Sequence, residues 1–433
     1  MKQFVLLLLL FFYQIKYSQD IVLIDTLNLK FKLELVDLYK TRVSAQKEVF
    51  NHQITDKTIR KEVENNYSKL NEDFIKNINK GIIVENEVYD SFLNDILQNI
   101  VQNNTAFSNI KNTKILISFG SSPNAYAIGN DIVVVFVPLI KSITNEFELS
   151  FIICHEIAHN LLTHSYNSLT DYATMVHSSE IKSKTREIKK TKYNRGQIAS
   201  DTYKDIVYGK RRNNRQLEHQ ADSLGFVLFK NTFKGKEYLA VKSLETLGEI
   251  DRERDSLVKN DYLKLFDSEM IRFKNEWIEN DELSAYKYNK SNYFWAIDSL
   301  KTHPDCNLRV DFVKKHFTVK PIDVDQPSES FKILKKSSIY NHILGLYVIE
   351  EYGKSLYESL LLLKDDENNE FLNNMVYQNL LKLEAAQKTY TLNKHLENIS
   401  PQNSKSYNTF LYFFRALRKS ELSAIISSFK PTP

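Results

Sequence analysis

Apolar residues recur at helical spacing along most of the chain. Phe92, Ile96 and Ile100 lie four positions apart, which is the period of a helix that buries one face. The same spacing continues upstream to about residue 20 and returns after residue 321, with clear stretches at 371–390 and 407–427. The pattern therefore predicts helices on both sides of the middle of the chain.

Two short stretches differ, because nearly every position in them is apolar. Residues 114–119 read KILISF and residues 132–137 read IVVVFV, a composition that favours buried strands. Gly129, Asn130 and Asp131 between them are turn formers. We predict that the two strands pair. Glycine (10) and proline (8) are scarce in 433 residues, so we predict a mainly α fold with a small β-sheet (α+β).

The first residues of the chain have the pattern of a targeting segment. Met1 and Lys2 precede an unbroken apolar run at 4–12, and Ser18 is a small residue at which a signal peptidase could cut. The run is shorter than the about 20 residues that a membrane-spanning helix needs. We predict a signal peptide and an exported protein, either periplasmic, elsewhere in the cell envelope or secreted. An uncleaved N-terminal anchor is the alternative, and no integral membrane span is expected later in the chain.

Charge is nearly balanced overall but is concentrated in one segment. The formal net charge of +4 gives no reason to expect a nucleic-acid partner. Between residues 181 and 215, however, twelve Lys and Arg oppose three acidic residues. Basic runs are usually solvated helix faces. Contact with an acidic membrane surface or with substrate is the alternative, and both interpretations remain open for this basic segment.

The candidate chemistry begins with the sequence HEIAH at residues 155–159. Four positions make about one helical turn, so the imidazoles of His155 and His159 would point toward a single ion. Glu156 would reach a water without occupying a ligand position. The apolar flanks make unpaired polar groups costly to bury, and a metal removes that cost. We predict one zinc ion per chain and Glu156 as the general base. His164 would lie roughly 140° around the same helix from His159 and would point away from the metal.

A third ligand must come from another part of the chain. We predict a second helix at about 214–229, in which the sequence LEHQAD at residues 217–222 offers Glu218 and Asp222, one helical turn apart. We predict that Glu218 binds the metal, and that Asp222 accepts a hydrogen bond from the far nitrogen of a ligand, most readily His155. Ala221 and Gly225 leave room for close packing of this helix against the first.

Two further residue groups are candidates for contact with substrate. His303, followed by Pro304 at the start of a helix, and Arg309 could stabilise a developing oxyanion; a capped helix with a surface arginine is the alternative. The apolar strand with Ile132, Val133 and Val134 would bind an extended polypeptide by strand addition.

Four motifs occur in an order that resembles a known family. They are Asn124-Ala125-Tyr126-Ala127, the HEIAH sequence, Glu218 to Asp222, and Thr302-His303-Pro304 through Arg309. This order is similar to that of gluzincins of the HtpX and CAAX prenyl protease type, which form family forty-eight of the metallopeptidases. The resemblance covers roughly residues 85–318.

The resemblance implies a gluzincin core and a role for each matched residue. It makes His155, His159 and Glu218 the zinc ligands, Glu156 the general base and Asp222 the residue that orients a ligand. His303 and Arg309 would lie near the site, and Asn124 and Ala125 near the substrate. Without transmembrane helices, the chain looks like the soluble Oma- or BepA-like branch, which cleaves damaged or misassembled envelope proteins. The long basic insert departs from that pattern.

These observations give one main functional prediction and two rivals. We expect a zinc endopeptidase that hydrolyses unfolded or misassembled envelope proteins. One rival is a helical envelope scaffold or chaperone with a structural zinc site, although such a site needs no general base. The other is an aminopeptidase, for which no acidic motif is evident.

The predicted organisation has four parts. A signal peptide at 1–18 is followed by an N-terminal helical region at 19–104. A zinc metallopeptidase domain covers 105–320 and contains the basic insert at about 165–213. A C-terminal helical region with weak signs of repeats fills 321–433.

Overall fold

In the computed structural model, the chain is mainly helical around one small mixed sheet, which confirms the predicted fold class. The structure describes residues 21–191, 195–250, 255–279, 306–324 and 326–431. The predicted signal peptide lies outside these residues. Within the described ranges, no helix has both the length and the apolar character needed to cross a bilayer.

The helices and strands follow one another in a simple order, with the sheet between two groups of helices. In the described residues they are α1 (Leu29–Gln53), α2 (Lys57–Asn79), β1 (Ile83–Val84), α3 (Glu87–Asn103), β2 (Lys114–Ser118), β3 (Ala125–Gly129), β4 (Ile132–Phe136), α4 (Val137–Ser142), α5 (Glu146–Leu161), α6 (His164–Val176), α7 (Ser179–Lys190), α8 (Arg195–Thr232), α9 (Glu237–Gly248), α10 (Lys259–Phe266), α11 (Cys306–His316), α12 (Glu329–Val348), α13 (Tyr352–Leu363), α14 (Glu370–Lys388), α15 (Lys405–Ala416) and α16 (Lys419–Ser428). Short 3₁₀ turns lie at Ser108–Asn112, Asn275–Trp277 and Leu392–Lys394.

The sheet has the strand order β1-β2-β4-β3. β2 and β4 pair in parallel, so the pairing of the two apolar stretches is confirmed. The residues between them, which were expected to supply a turn, also form a strand of their own, β3, antiparallel to β4. Gly129, Asn130 and Asp131 turn the chain between these strands with φ of 87°, 54° and 56°. That left-handed backbone explains why glycine, asparagine and aspartate occur here.

β4 has a hydrogen-bonded neighbour on each edge. β2 occupies one side and β3 the other, so β4 has no free backbone groups for an additional strand. The prediction that Ile132, Val133 and Val134 bind an extended substrate by strand addition is therefore wrong. In the described part of the sheet, β3 has the open edge on this side.

Helices cover both faces of the sheet. Ile132 and Val134 pack with residues of the α1–α2 hairpin, whereas Val133 and Val135 pack into the larger core that contains α3 and α5. All four side chains are completely buried. A strand that is buried on both faces has a continuous apolar run instead of an alternating one, and this explains the IVVV sequence.

The segment before α1 is bound to the C-terminal helices through one asparagine. Asn341 on α12 accepts a hydrogen bond from the amide of Ile24 at 2.9 Å and donates one to the carbonyl of Val22 at 2.7 Å. Its amide nitrogen also lies 3.1 Å from the Tyr89 hydroxyl on α3. These hydrogen bonds join three parts of the chain that are distant in sequence. Asn341 is fully buried, so water cannot replace them.

α8 is much longer than the helix that the sequence predicted at about 214–229. It has 38 residues, from Arg195 to Thr232. The basic insert is accordingly helical, and its described residues form α6, α7 and the first half of α8. One uninterrupted helix therefore runs from the insert to Glu218.

The C-terminal region is helical, but one of its predicted boundaries is wrong. α14 agrees with the helix expected at 371–390, whereas the helix expected at 407–427 is divided into α15 and α16. Leu417, between them, has an extended backbone with ψ of 130°. Its side chain is buried, so the break places an apolar residue in the core.

Replacing Asn341 with alanine should lower the free energy of unfolding by about 2–6 kcal/mol, because two backbone groups lose their side-chain partner at a cost of about 1–3 kcal/mol each. Urea denaturation followed by circular dichroism measures this change. Asn94→Ala, on the exposed face of α3, is the matched control and should change stability by at most about 0.5 kcal/mol. Equal effects of the two substitutions would contradict the role of Asn341.

Candidate metal centre

α5 begins with a double cap and then runs through the core. The Asn145 side chain accepts hydrogen bonds from the amides of Phe147 and Glu148 at 3.0 and 3.1 Å. The Glu148 carboxylate in turn accepts one from the amide of Thr144 at 3.3 Å. Such reciprocal caps fix the first residue of a helix. All residues from 148 to 158 are buried, so α5 carries its polar side chains into the interior.

Three side chains from α5 and α8 converge on one point. The Nε2 atoms of His155 and His159 lie 3.0 Å apart. Oxygens of the Glu218 carboxylate lie 3.4 Å from the first and 3.6 Å from the second of these nitrogens. One ligand atom from each residue lies within 4.8 Å of the others. The structure thus brings the three predicted ligands together.

The donor set of this cluster fits a divalent cation. Two imidazole nitrogens and one carboxylate are the ligands of many catalytic zinc sites, which keep a fourth position open. Without a cation, the lone pairs of two neutral imidazoles would meet beside a carboxylate. A metal converts that repulsion into three bonds. We therefore call the cluster of His155, His159 and Glu218 the candidate metal centre.

Asp222 and Arg309 support the metal centre from within the protein. Asp222 Oδ1 lies 3.0 Å from His155 Nδ1. The Arg309 guanidinium donates to both oxygens of Asp222, at 2.9 and 2.7 Å. Burial alone would raise the pKa of Asp222, but the charge of Arg309 and these hydrogen bonds outweigh it and hold the pKa at about 2. Asp222 is therefore a carboxylate that accepts a hydrogen bond from His155.

Arg309 is a buried counter-ion in this structure. Its side chain is 3% exposed. Besides Asp222, its guanidinium approaches Glu218 at 3.4 Å, so one arginine compensates two carboxylates of α8. The role of Arg309 at a developing oxyanion stays a prediction. His303, the other candidate for that role, lies outside the described residues.

Glu156 lies beside the three converging residues and faces the sheet. Burial raises the pKa of its carboxyl to about 7. The backbone N–H of Ala127 on β3 favours the charged form of this carboxyl and opposes part of that rise in pKa. A carboxylate whose pKa is near neutrality is suited to taking and returning a proton at neutral pH. Glu156 therefore combines a position next to the metal centre with the acidity of a general base.

α5 and α8 approach one another most closely at Gly225. A Cβ atom at this position would lie 2.9 Å from His155 Cα and 3.0 Å from His155 N. Ala221, one turn earlier, is completely buried. These small residues allow the close packing that the sequence predicted, and they set the distance between the helix with the histidines and the helix with Glu218.

The comparison with protein families agrees with this geometry. The model of peptidase family M48 matches residues 92–316, a range that includes His155, His159 and Glu218. The chain belongs to peptidase family M48. Membership supports metallopeptidase activity in general and confirms the resemblance at the level of the family. No curated protein matches the chain.

In this M48 peptidase, His164 does not lie where the helical spacing predicted. α5 ends at Leu161, Thr163 has a left-handed backbone with φ of 54°, and α6 begins at His164. The chain therefore turns before His164. Its Nδ1 lies 2.9 Å from Nδ1 of His159, and its side chain is buried. The prediction that His164 points away from the metal is wrong, because it assumed that α5 continues.

The matched motif of residues 124–127 forms the start of the edge strand β3. The carbonyl of Asn124 accepts a hydrogen bond from the amide of Phe136, so it faces β4. Backbone groups alternate along a strand, and those of Ala125 and Ala127 therefore face the open edge. The Ala127 carbonyl accepts a hydrogen bond from the Ser165 hydroxyl at 3.2 Å, and the Ala127 N–H favours the charged form of Glu156.

Replacing Gly225 with alanine should push α8 away from α5 and weaken zinc binding about tenfold or more, with a loss of about 1–3 kcal/mol of stability from overpacking. Zinc affinity is measured by competition with a chromogenic chelator, and stability by thermal unfolding. Gly196→Ala lies in the same helix at a position where a Cβ meets nothing within 4 Å. This control should retain wild-type zinc affinity because the added methyl group displaces nothing. It should not destabilise the helix, since alanine is a better helix former than glycine. Wild-type affinity in Gly225→Ala would rule out the spacing argument.

Proposed function

We propose that this M48 peptidase is a zinc-dependent endopeptidase that binds one zinc ion per chain. The observation that carries the proposal is the convergence of His155, His159 and Glu218, with the separate carboxylate of Glu156 beside them. A structural site needs its ligands alone. An additional buried carboxylate with a raised pKa is what a hydrolytic site requires.

Each side chain of the site has a separate role in the proposed reaction. Zinc bound by the three ligands supplies a Lewis acid for the scissile carbonyl. Glu156 takes a proton from the attacking water and delivers it to the leaving amine. The Ala127 amide on β3 stabilises the charged form of Glu156. Asp222 keeps His155 oriented toward the cluster, and Arg309 balances the negative charge behind it.

We propose that the substrate lies as an extended chain along the open edge of β3. Ala125 directs its backbone N–H and carbonyl to that edge, whereas the next edge-facing carbonyl, that of Ala127, already accepts a hydrogen bond from Ser165. Strand addition uses backbone hydrogen bonds, which do not depend on side-chain identity. Segments that are already folded have no free backbone to offer. This mode of binding supports unfolded or misassembled polypeptides as the substrate class.

The cellular setting is likewise a proposal. The apolar run at 4–12 with Ser18 is typical of a signal peptide, and it supports export to the periplasm, elsewhere in the envelope or to the medium. An Oma- or BepA-like role in removing damaged envelope proteins agrees with that setting. The positive charge of the basic insert supports an additional contact with an acidic membrane surface or substrate.

The alternative is a helical scaffold or chaperone that keeps zinc as a structural ion. The C-terminal helices α12 to α16 give it some support, since they add a helical surface beyond the matched residues 92–316. The two functions make different demands on Glu156. A scaffold tolerates its loss, whereas a peptidase does not.

Glu156→Gln should abolish cleavage of casein while the protein keeps its zinc, because glutamine preserves the size of the side chain but cannot accept the proton. We expect at least about a thousandfold loss of activity, at the level of a missing general base. Fluorescence of labelled casein fragments measures activity, and elemental analysis measures zinc.

The control for this experiment is Glu370→Gln, at an exposed position on α14, which should remain fully active. Casein cleavage by Glu156→Gln at the wild-type rate would refute the peptidase. Absence of zinc from the purified wild-type protein after reconstitution would refute the metal site.

N-methylation of successive backbone nitrogens in a quenched peptide substrate should reduce kcat/KM at alternate positions. Only every second N–H of an extended substrate faces β3, and a lost backbone hydrogen bond should cost about fivefold to tenfold. Peptides with both ends blocked should be cleaved, as expected for an endopeptidase. A uniform effect at all positions would exclude strand addition, and cleavage only of peptides with a free amino end would indicate an aminopeptidase.

A further inference from the structure

His164 and Gln220 form a hydrogen-bonded chain that ends at a metal ligand. His164 Nδ1 lies 2.9 Å from His159 Nδ1, and His164 Nε2 lies 3.1 Å from the Gln220 side-chain oxygen. His164 is 4% exposed. Gln220 lies on α8 between Glu218 and Asp222, so three residues of one helix reach the metal centre or a residue bonded to it.

The direction of each hydrogen bond follows from the chemistry of its two partners. The amide oxygen of Gln220 accepts only, so His164 must carry a proton on Nε2. In a neutral imidazole the other nitrogen is then an acceptor. His164 Nδ1 therefore accepts a hydrogen bond from the Nδ1–H of His159, and the neutral His159 ring has its lone pair on Nε2. That is the nitrogen that faces His155 and Glu218.

The opposite orientation of the Gln220 amide is incompatible with metal binding. If the amide nitrogen of Gln220 donated to His164 Nε2, His164 would carry its proton on Nδ1 and donate it to His159. His159 would then be protonated on Nε2 and could not bind a cation through that atom. Only one arrangement of protons satisfies both hydrogen bonds and leaves Nε2 available.

We propose that His164, oriented by Gln220, is a positioning residue that holds His159 in the tautomer that binds the metal. It does for His159 what Asp222 does for His155, but with a neutral acceptor. The centre already contains the carboxylates of Glu156, Glu218 and Asp222, with Arg309 as their nearby cation. A neutral acceptor orients the second ligand without adding a further buried negative charge. The inference rests on the proposed function, since it assigns a task within the same metal centre.

The turn at Thr163 makes this arrangement possible. A left-handed backbone conformation is unfavourable for a β-branched residue such as threonine. At Thr163 this conformation separates α5, which contains both histidines, from α6. The turn directs the first residue of α6 back toward His159. Ser165, the next residue, donates to the Ala127 carbonyl on β3. The start of α6 thus contacts both the metal ligand and the edge strand.

The proposal is tested by measuring the zinc affinity of variants at His164 and Gln220, which does not rely on peptidase activity. His164→Phe keeps a ring but removes the acceptor, and it should weaken zinc binding about 10–100-fold, as substitutions of ligand-orienting residues do. His177→Phe, at the other end of α6, is the matched control and should bind zinc as the wild type does. Wild-type affinity in a folded His164→Phe protein would overturn the proposal.

The Gln220 variants keep the test valid if His164→Phe does not fold, because Gln220 is exposed. Gln220→Leu should weaken zinc binding about fivefold, the effect of one hydrogen bond, without changing the thermal unfolding of the metal-free protein. Gln220→Glu can only accept and should remain within twofold of the wild type. Equal affinities of the leucine variant and the wild type would contradict the role of Gln220.

Long-range ¹H–¹⁵N spectra of histidine-labelled protein provide a direct readout of the tautomers. In the zinc-loaded wild type we expect His159 to carry its proton on Nδ1 and His164 on Nε2. A proton on Nδ1 of His164 would overturn the proposal. Failure of the wild type to bind zinc would instead refute the proposed function, so the two failures are distinguishable.

Discussion

The close contact between α5 and α8 is the constraint on which the metal centre depends. Two of the ligands lie on one helix and the third on another, separated by about sixty positions in sequence. Gly225 allows the backbone of α8 to approach the backbone of α5 at the level of His155 itself. A longer distance between the helices would leave the two imidazoles facing solvent or apolar side chains. The cluster would then lose the carboxylate that makes it a three-ligand site.

Electrostatic balance explains why this contact tolerates so many buried charges. Buried carboxylates are costly unless a cation or hydrogen bonds compensate them. Against the effect of burial, hydrogen bonds with His155 and the charge of Arg309 keep the pKa of Glu218 and of Asp222 below the usual range of a carboxyl. Among the residues that the structure describes, no cation is hydrogen-bonded to Glu156, and burial raises the pKa of its carboxyl. The three carboxylates therefore have different environments, which suits a ligand, an orienting group and a base.

The candidate metal centre is also connected to the basic insert. α8 extends without interruption from the basic insert to Glu218. α6, at the other end of the insert, contacts His159 through His164 and β3 through Ser165. The basic insert is therefore joined at both ends to the candidate metal centre or to residues beside β3.

The sequence by itself determined the features that depend on local spacing. His155 and His159 are one turn apart, Glu218 and Asp222 are one turn apart on a second helix, and the continuous apolar runs indicated buried strands. Each follows from the helical or strand period alone. The tertiary structure decided the order of the strands. Both edges of β4, which contains Val133, are paired with neighbouring strands, and β3 lies at the edge of the sheet. The tertiary structure also decided where α5 ends, which turned His164 toward His159, and it made Arg309 a buried counter-ion. These features depend on contacts between residues far apart in the chain, and the periodicity of a single segment contains no information about its neighbours in space.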